Sequence, residues 1–126
     1  MMKVKVIICN CRGTSSSFQG LDMKRLPFTV EGELDVEYSV IHPEVCGPGG
    51  NTALADLMKS ADRETYIICG ACDPQTQKAA FADLLRVHKF PEERFIAVDI
   101  RGVDNDGVVN RLRPAVEAIL GRMTAP

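Results

Sequence analysis

Tyr66-Ile67-Ile68-Cys69-Gly70-Ala71-Cys72-Asp73-Pro74 is the stretch that decides the fold. Glu64–Cys69 is short, apolar almost without interruption and rich in β-branched and aromatic residues, the pattern of a strand covered on both faces. Asp73 and Pro74 then read as a helix start, with Asp as N-cap and Pro at the first helical position. Phe81, Leu84, Leu85 and His88 follow at helical spacing. A buried strand that passes within a few residues into an amphipathic helix is a βα unit, and such units build parallel sheets.

The same rhythm extends in both directions. Lys3–Cys9 is a first strand of similar character, and Arg12–Gln19, with Gly13, Thr14 and three serines, is a loop. Leu21–Phe28 is a short helix that Pro27 keeps from running on. Leu34–Ile41 is the second strand, and His42–Gly50 a loop stiffened by two prolines and bent by three glycines. Asn51–Ala61 carries Leu54, Leu57, Met58 and Ala61 on one helical face. Arg94–Val98 is a fourth strand. The final helix covers Asn105–Leu120, with Val109, Leu112, Val116, Ile119 and Leu120 on one side and a kink or break expected at Pro114. There is no internal repeat and no low-complexity segment. Right-handed crossovers place helices on both faces of the sheet. The expectation is a single α/β domain over residues 1–126, a flavodoxin- or Rossmann-like three-layer sandwich with a four-stranded, mainly parallel sheet in the order 2-1-3-4.

Composition narrows the function classes. The chain has 126 residues, 45% hydrophobic and 25% charged, enough for one core and too few for two. A net charge of -2 without a Lys/Arg run argues against nucleic-acid or anionic-membrane partners. No apolar stretch approaches the ~20 residues that span a bilayer. Val4–Ile8 is too short for the apolar region of a signal peptide, so a cytoplasmic location is expected. In that reducing compartment, five cysteines point to metal binding or thiol chemistry rather than structural disulfides.

All five fall where a strand runs out. Cys9 and Cys11 follow the first strand, Cys46 lies beyond the second, and Cys69 and Cys72 end the third. In a parallel sheet these ends share one edge, the edge at which open α/β sheets bind ligands. Singly, Cys9 and Cys69 also read as small buried hydrophobes. Jointly, the Cys9-Asn10-Cys11 pair, the Cys69-Gly70-Ala71-Cys72 spacing and Cys46 predict at least four thiols in one site. Thiolates suit an iron–sulfur cluster or zinc. A domain with its own core does not need structural zinc, so a cluster is favoured, its potential tuned by backbone N–H groups of Gly47, Gly49, Gly50 and Gly70.

Other features have plainer readings. The segment from Gly47 to Thr52 opens a helix and has N–H groups suited to phosphate, yet it lacks the lysine of a phosphate-binding loop. His42 stands near Cys46 as a substitute ligand, and His88 is a packing or surface residue. Asp99, Asp104 and Asp106 are explained by solvation or helix capping.

Val6-Ile7-Ile8-Cys9-Asn10-Cys11, Cys46 in its loop, and Cys69-Gly70-Ala71-Cys72-Asp73-Pro74 followed by Phe81 resemble the N-terminal domain of the heterodisulfide reductase A subunit. Asp99-Ile100-Arg101 is similar to a stretch after that family's fourth strand. The resemblance implies Cys9, Cys11, Cys46 and Cys72 as ligands of an iron–sulfur cluster, most simply [4Fe–4S], with Cys69 the fifth, unmatched cysteine. The family has a further cysteine after its Ile-Arg, where this chain has Asp104 or a neighbour. Its subunit also continues into flavin-binding and ferredoxin domains, whereas this chain ends at Pro126, so any flavin is expected from a partner. What the resemblance implies is electron transfer within a redox complex of flavoprotein, hydrogenase, formate dehydrogenase or heterodisulfide-reductase-like subunits. Two alternatives stand beside it: a thiol–disulfide oxidoreductase using Cys69 and Cys72, and a zinc-stabilised adaptor.

Overall fold

A computed structural model of the protein describes residues 2–11 and 15–121. Four strands, β1 (Lys3–Cys9), β2 (Tyr38–His42), β3 (Thr65–Ala71) and β4 (Phe95–Asp99), alternate with four helices, α1 (Leu26–Glu33), α2 (Pro48–Lys59), α3 (Pro74–Val87) and α4 (Asn105–Leu120). The strands form one sheet in the order β2-β1-β3-β4, and every pairing is parallel. The architecture is that of a Rossmann- or flavodoxin-like α/β fold. Among the described residues no helix is long and apolar enough to cross a membrane.

The pleat of β1 divides the core. Val4, Val6 and Ile8 pack with Leu26 and Val30 of α1 and with Val108, Leu112 and Val116 of α4 on one face. Ile7 and Cys9 pack with Leu54 and Met58 of α2 and Phe81 and Leu85 of α3 on the other. The same alternation in β3 sends Ile68 to the first face, and Ile67, Cys69 and Ala71 to the second. Period-two alternation in a strand buried on both sides thus assigns Cys9 and Cys69 to the α2/α3 layer before any site is considered.

Several element boundaries depart from the sequence expectation, each for a local reason. The first helix is not Leu21–Phe28 but Leu26–Glu33, because Pro27 lies in its first turn, where a missing N–H costs nothing, rather than at its end. The second strand is Tyr38–His42 rather than Leu34–Ile41, since Leu34 caps α1 by donating its N–H to the Val30 carbonyl and is buried there. The α2 helix begins three residues early, at Pro48, and takes two glycines into its first turn. No break occurs at Pro114. The α4 helix runs through it, and Pro114 is exposed, so water can reach the Asn110 carbonyl that loses its donor. Of the loop expected over Arg12–Gln19, residues 12–14 lie outside the described residues, and Ser16–Phe18 form a 3-10 turn with Phe18 buried.

The α3 start is as the sequence reads. Asp73 caps it, its Oδ2 accepting the Thr76 N–H at 3.1 Å, with Pro74 at the first helical position. Asp73→Ala is expected to cost about 1 kcal/mol of stability. In urea unfolding this appears as a lower midpoint at an unchanged slope; a changed slope would mean that more than the cap is lost.

Candidate metal–thiol site

The cavity at the C-terminal edge of the sheet follows from register and side-chain size. Ile8 pairs with Gly70, which sets Cys9 beside Ala71 on the α2/α3 face. Alanine there is too small to fill the space, and a cavity of about 60 Å³ remains. Cys9, Cys11, Cys46 and Cys72 all line it. Val45, Ala71, Ala80 and Phe81 make the rest of the wall largely apolar, and Phe81 is braced edge-on against Phe95 with ring centroids 5.8 Å apart.

Three chain segments deliver the four thiols. Cys9 ends β1 and is buried, and its Sγ lies 3.9 Å from the Pro43 carbonyl of the Cys46 loop. Cys11 takes a left-handed backbone, φ 50°, which for an L-residue costs roughly 1–2 kcal/mol and turns the chain sharply. Its N–H donates back to the Cys9 Sγ at 3.5 Å. Such a backbone donor stabilises negative charge on sulfur and tunes the group bound to it. Cys46 is exposed, two residues before the start of α2. Cys72 is half-buried between the end of β3 and Asp73.

For Cys11 and Cys72 the surroundings favour the protonated thiol. Burial first, then the neighbouring Cys9, raises the Cys11 thiol above its ordinary range. Burial also raises Cys72 and outweighs the opposing pull of Arg101. Arg101 itself is held by a bidentate pair with Asp99, at 3.0 and 2.7 Å, and keeps the Asp99 carboxyl low. A metal entering the cavity therefore displaces thiol protons.

Cys69 stands apart. It is fully buried inside β3, in the layer beneath the cavity, and burial pushes its thiol far up. Cys69 sits within the strand, and Cys72 follows its end. Both thiols are raised by burial, whereas dithiol chemistry uses a lowered one.

The glycines and histidines divide similarly. Gly70 lies within β3, and its missing side chain admits Ile100 and Leu112 on the opposite face, away from the cavity. Gly47 donates its N–H to the Glu44 carbonyl, Gly49 sits against His42, and Gly50 lies under the backbone of Glu44 and Val45. These three shape the Cys46 loop. His42 accepts the Glu44 N–H on Nδ1 at 3.0 Å and does not line the cavity. His88 caps the end of α3. Asp104 caps α4, accepting the Gly107 N–H at 2.9 Å, and Asp106 lies in the first turn of that helix.

Four sulfurs are a donor set suited to iron–sulfur clusters and to zinc alike. They are gathered but not closed: among the described residues no three His, Cys, Asp or Glu side chains stand in position to hold an ion. The cavity is small, about 60 Å³. The Cys46 loop and the Cys11 turn, which supply two of the four thiols, lie outside the strands.

Sequence reasoning missed Gln77. It lies on α3, is 2% exposed, and lines the same cavity. One glutamine in a helix gives no periodic or motif signal. No protein-family model matches the chain, and no characterised protein is significantly similar to it in sequence.

Proposed function

We propose that this domain is an iron–sulfur electron-transfer module, its cluster held by Cys9, Cys11, Cys46 and Cys72. One observation carries the reading: four thiols from three separate segments line one cavity at the ligand-binding edge of a parallel sheet. When bound, the cluster supplies a one-electron carrier. The chain's own part is to present four soft donors, to donate the Cys11 N–H toward sulfur, and to keep water from the inner side with Val45, Ala71 and Phe81. Cys46 stands at the exposed mouth, so electrons enter and leave on that side.

The sequence resemblance to the N-terminal domain of the heterodisulfide reductase A subunit supports the same four ligands. It also names the kind of partner: a flavoprotein, hydrogenase or heterodisulfide-reductase-like subunit in the cytoplasm. A second reading, one zinc ion in a structural role, is favoured by the small volume of the cavity.

The deciding experiment is anaerobic purification, with iron, sulfide and zinc measured on the sample that gives the visible spectrum. Near-stoichiometric iron and sulfide with a broad band near ~400 nm is the expected outcome. Colourless protein that carries zinc, or takes up no iron on reconstitution, would end the electron-transfer reading.

A further inference from the structure

Gln77 carries an unusual obligation. Its side-chain Nε2 donates to the Cys72 carbonyl at 2.7 Å and to the Val98 carbonyl at 3.2 Å. Reversing the amide would press its oxygen against two carbonyl oxygens, so these acceptors fix which end carries nitrogen. The Oε1 atom is left buried without a protein partner. A buried carbonyl without a partner is costly, and such an atom in a native fold calls for a ligand, an ion or water. Gln77 is 98% removed from solvent, and the space it borders is the thiol cavity.

We propose that Gln77 is the oxygen donor of the thiol cavity, its amide locked by the Cys72 and Val98 carbonyls so that Oε1 serves a divalent d-block ion bound there. The inference rests on the metal–thiol reading above. A neutral oxygen adds no charge to an ion already surrounded by thiolates, and amide oxygens are known weak ligands in soft-metal sites. The lock also has a positional consequence. The side chain that supplies the oxygen holds the backbone of Cys72, so the oxygen and one thiol are fixed relative to each other.

Zinc is the probe, loaded anaerobically into the reduced full chain and read by zinc-edge X-ray absorption. A sulfur shell near ~2.3 Å with one oxygen at ~2.0–2.2 Å is expected in the wild type. In Gln77→Met the oxygen is expected to disappear from the shell, with the sulfur shell retained and zinc bound more weakly than in the wild type. A sulfur-only shell in the wild type would overturn the proposal, as would an oxygen that persists unchanged in Gln77→Met, which identifies water. Absence of any sulfur shell would instead defeat the thiol site itself. Should Gln77→Met lose its cooperative melt, the 15N side-chain amide of Gln77 in the wild type decides. A shift on adding zinc supports the assignment, and an unmoved resonance refutes it.

Discussion

Changing any one of Cys9, Cys11, Cys46 or Cys72 to serine is expected to strip most of the iron from anaerobically prepared protein, whereas Cys69→Ala is expected to keep it. The contrast follows from placement. The first four line one cavity, while Cys69 lies beneath it in the packed layer of β3. Serine is nearly isosteric with cysteine but too hard a donor for a soft-metal site. Losing a direct ligand is expected to cost more than the ~10–100-fold that follows loss of an outer-shell partner. At position 69 the loss is one of packing, a methyl-sized void worth about 1 kcal/mol. Alanine is the informative replacement there, because serine would bury a hydroxyl. Full iron and sulfide in two of the four serine variants would mean that no four-thiol cage exists. Loss of iron in Cys69→Ala, with its stability otherwise intact, would move Cys69 into the cage.

Gly50→Ala is expected to damage the fold and the site together. A Cβ at position 50 would fall 2.0 Å from the Glu44 carbonyl oxygen and 2.3 Å from the Val45 Cα. Both are backbone atoms, so no rotamer change relieves the overlap. Either α2 or the loop that carries Cys46 must move. Overpacking of this kind costs typically about 1–3 kcal/mol. Displacement of Cys46 from the cavity adds a loss of metal that alanine, normally the better helix former, would not otherwise cause. Gly49→Ala is the control. Its nearest contact is the His42 ring nitrogen at 3.4 Å, which can shift. If Gly50→Ala melts like the wild type and retains its metal, the close approach does not govern the loop.

The sequence carried the topology because both central strands are unambiguous. Lys3–Cys9 has no competing reading, and the register of β1 against β3 then forces the cysteines to one edge. The bounds expected for α4 hold, with Asp104 capping one end and Gly121 in a left-handed turn at the other. What could not be read were the places where one residue serves two elements. Leu34 is apolar because it closes α1, and in sequence that apolarity runs into Val36 and lengthens the apparent strand. Pro27 has the same ambiguity, since proline both starts and stops helices and only the neighbouring structure says which. The thiol convergence was visible because it depends on strand order alone. Gln77 was not, because its role depends on one amide reaching two carbonyls, one of them that of Val98, 21 residues further along the chain.

The central position of β1 has a consequence for biosynthesis. Its neighbours β2 and β3 both follow it in the chain, and β3 ends only at Ala71. As the chain leaves the ribosome, β1 emerges before either strand that will cover its edges, with Cys9 and Cys11 at its end. An apolar segment with two open edges and reactive sulfurs is prone to aggregation and to oxidation until pairing is complete. Translation has to pass Cys72 before the last of the four cavity thiols exists. Under the proposed cage, metal would then be taken up by the completed domain rather than by the nascent strand.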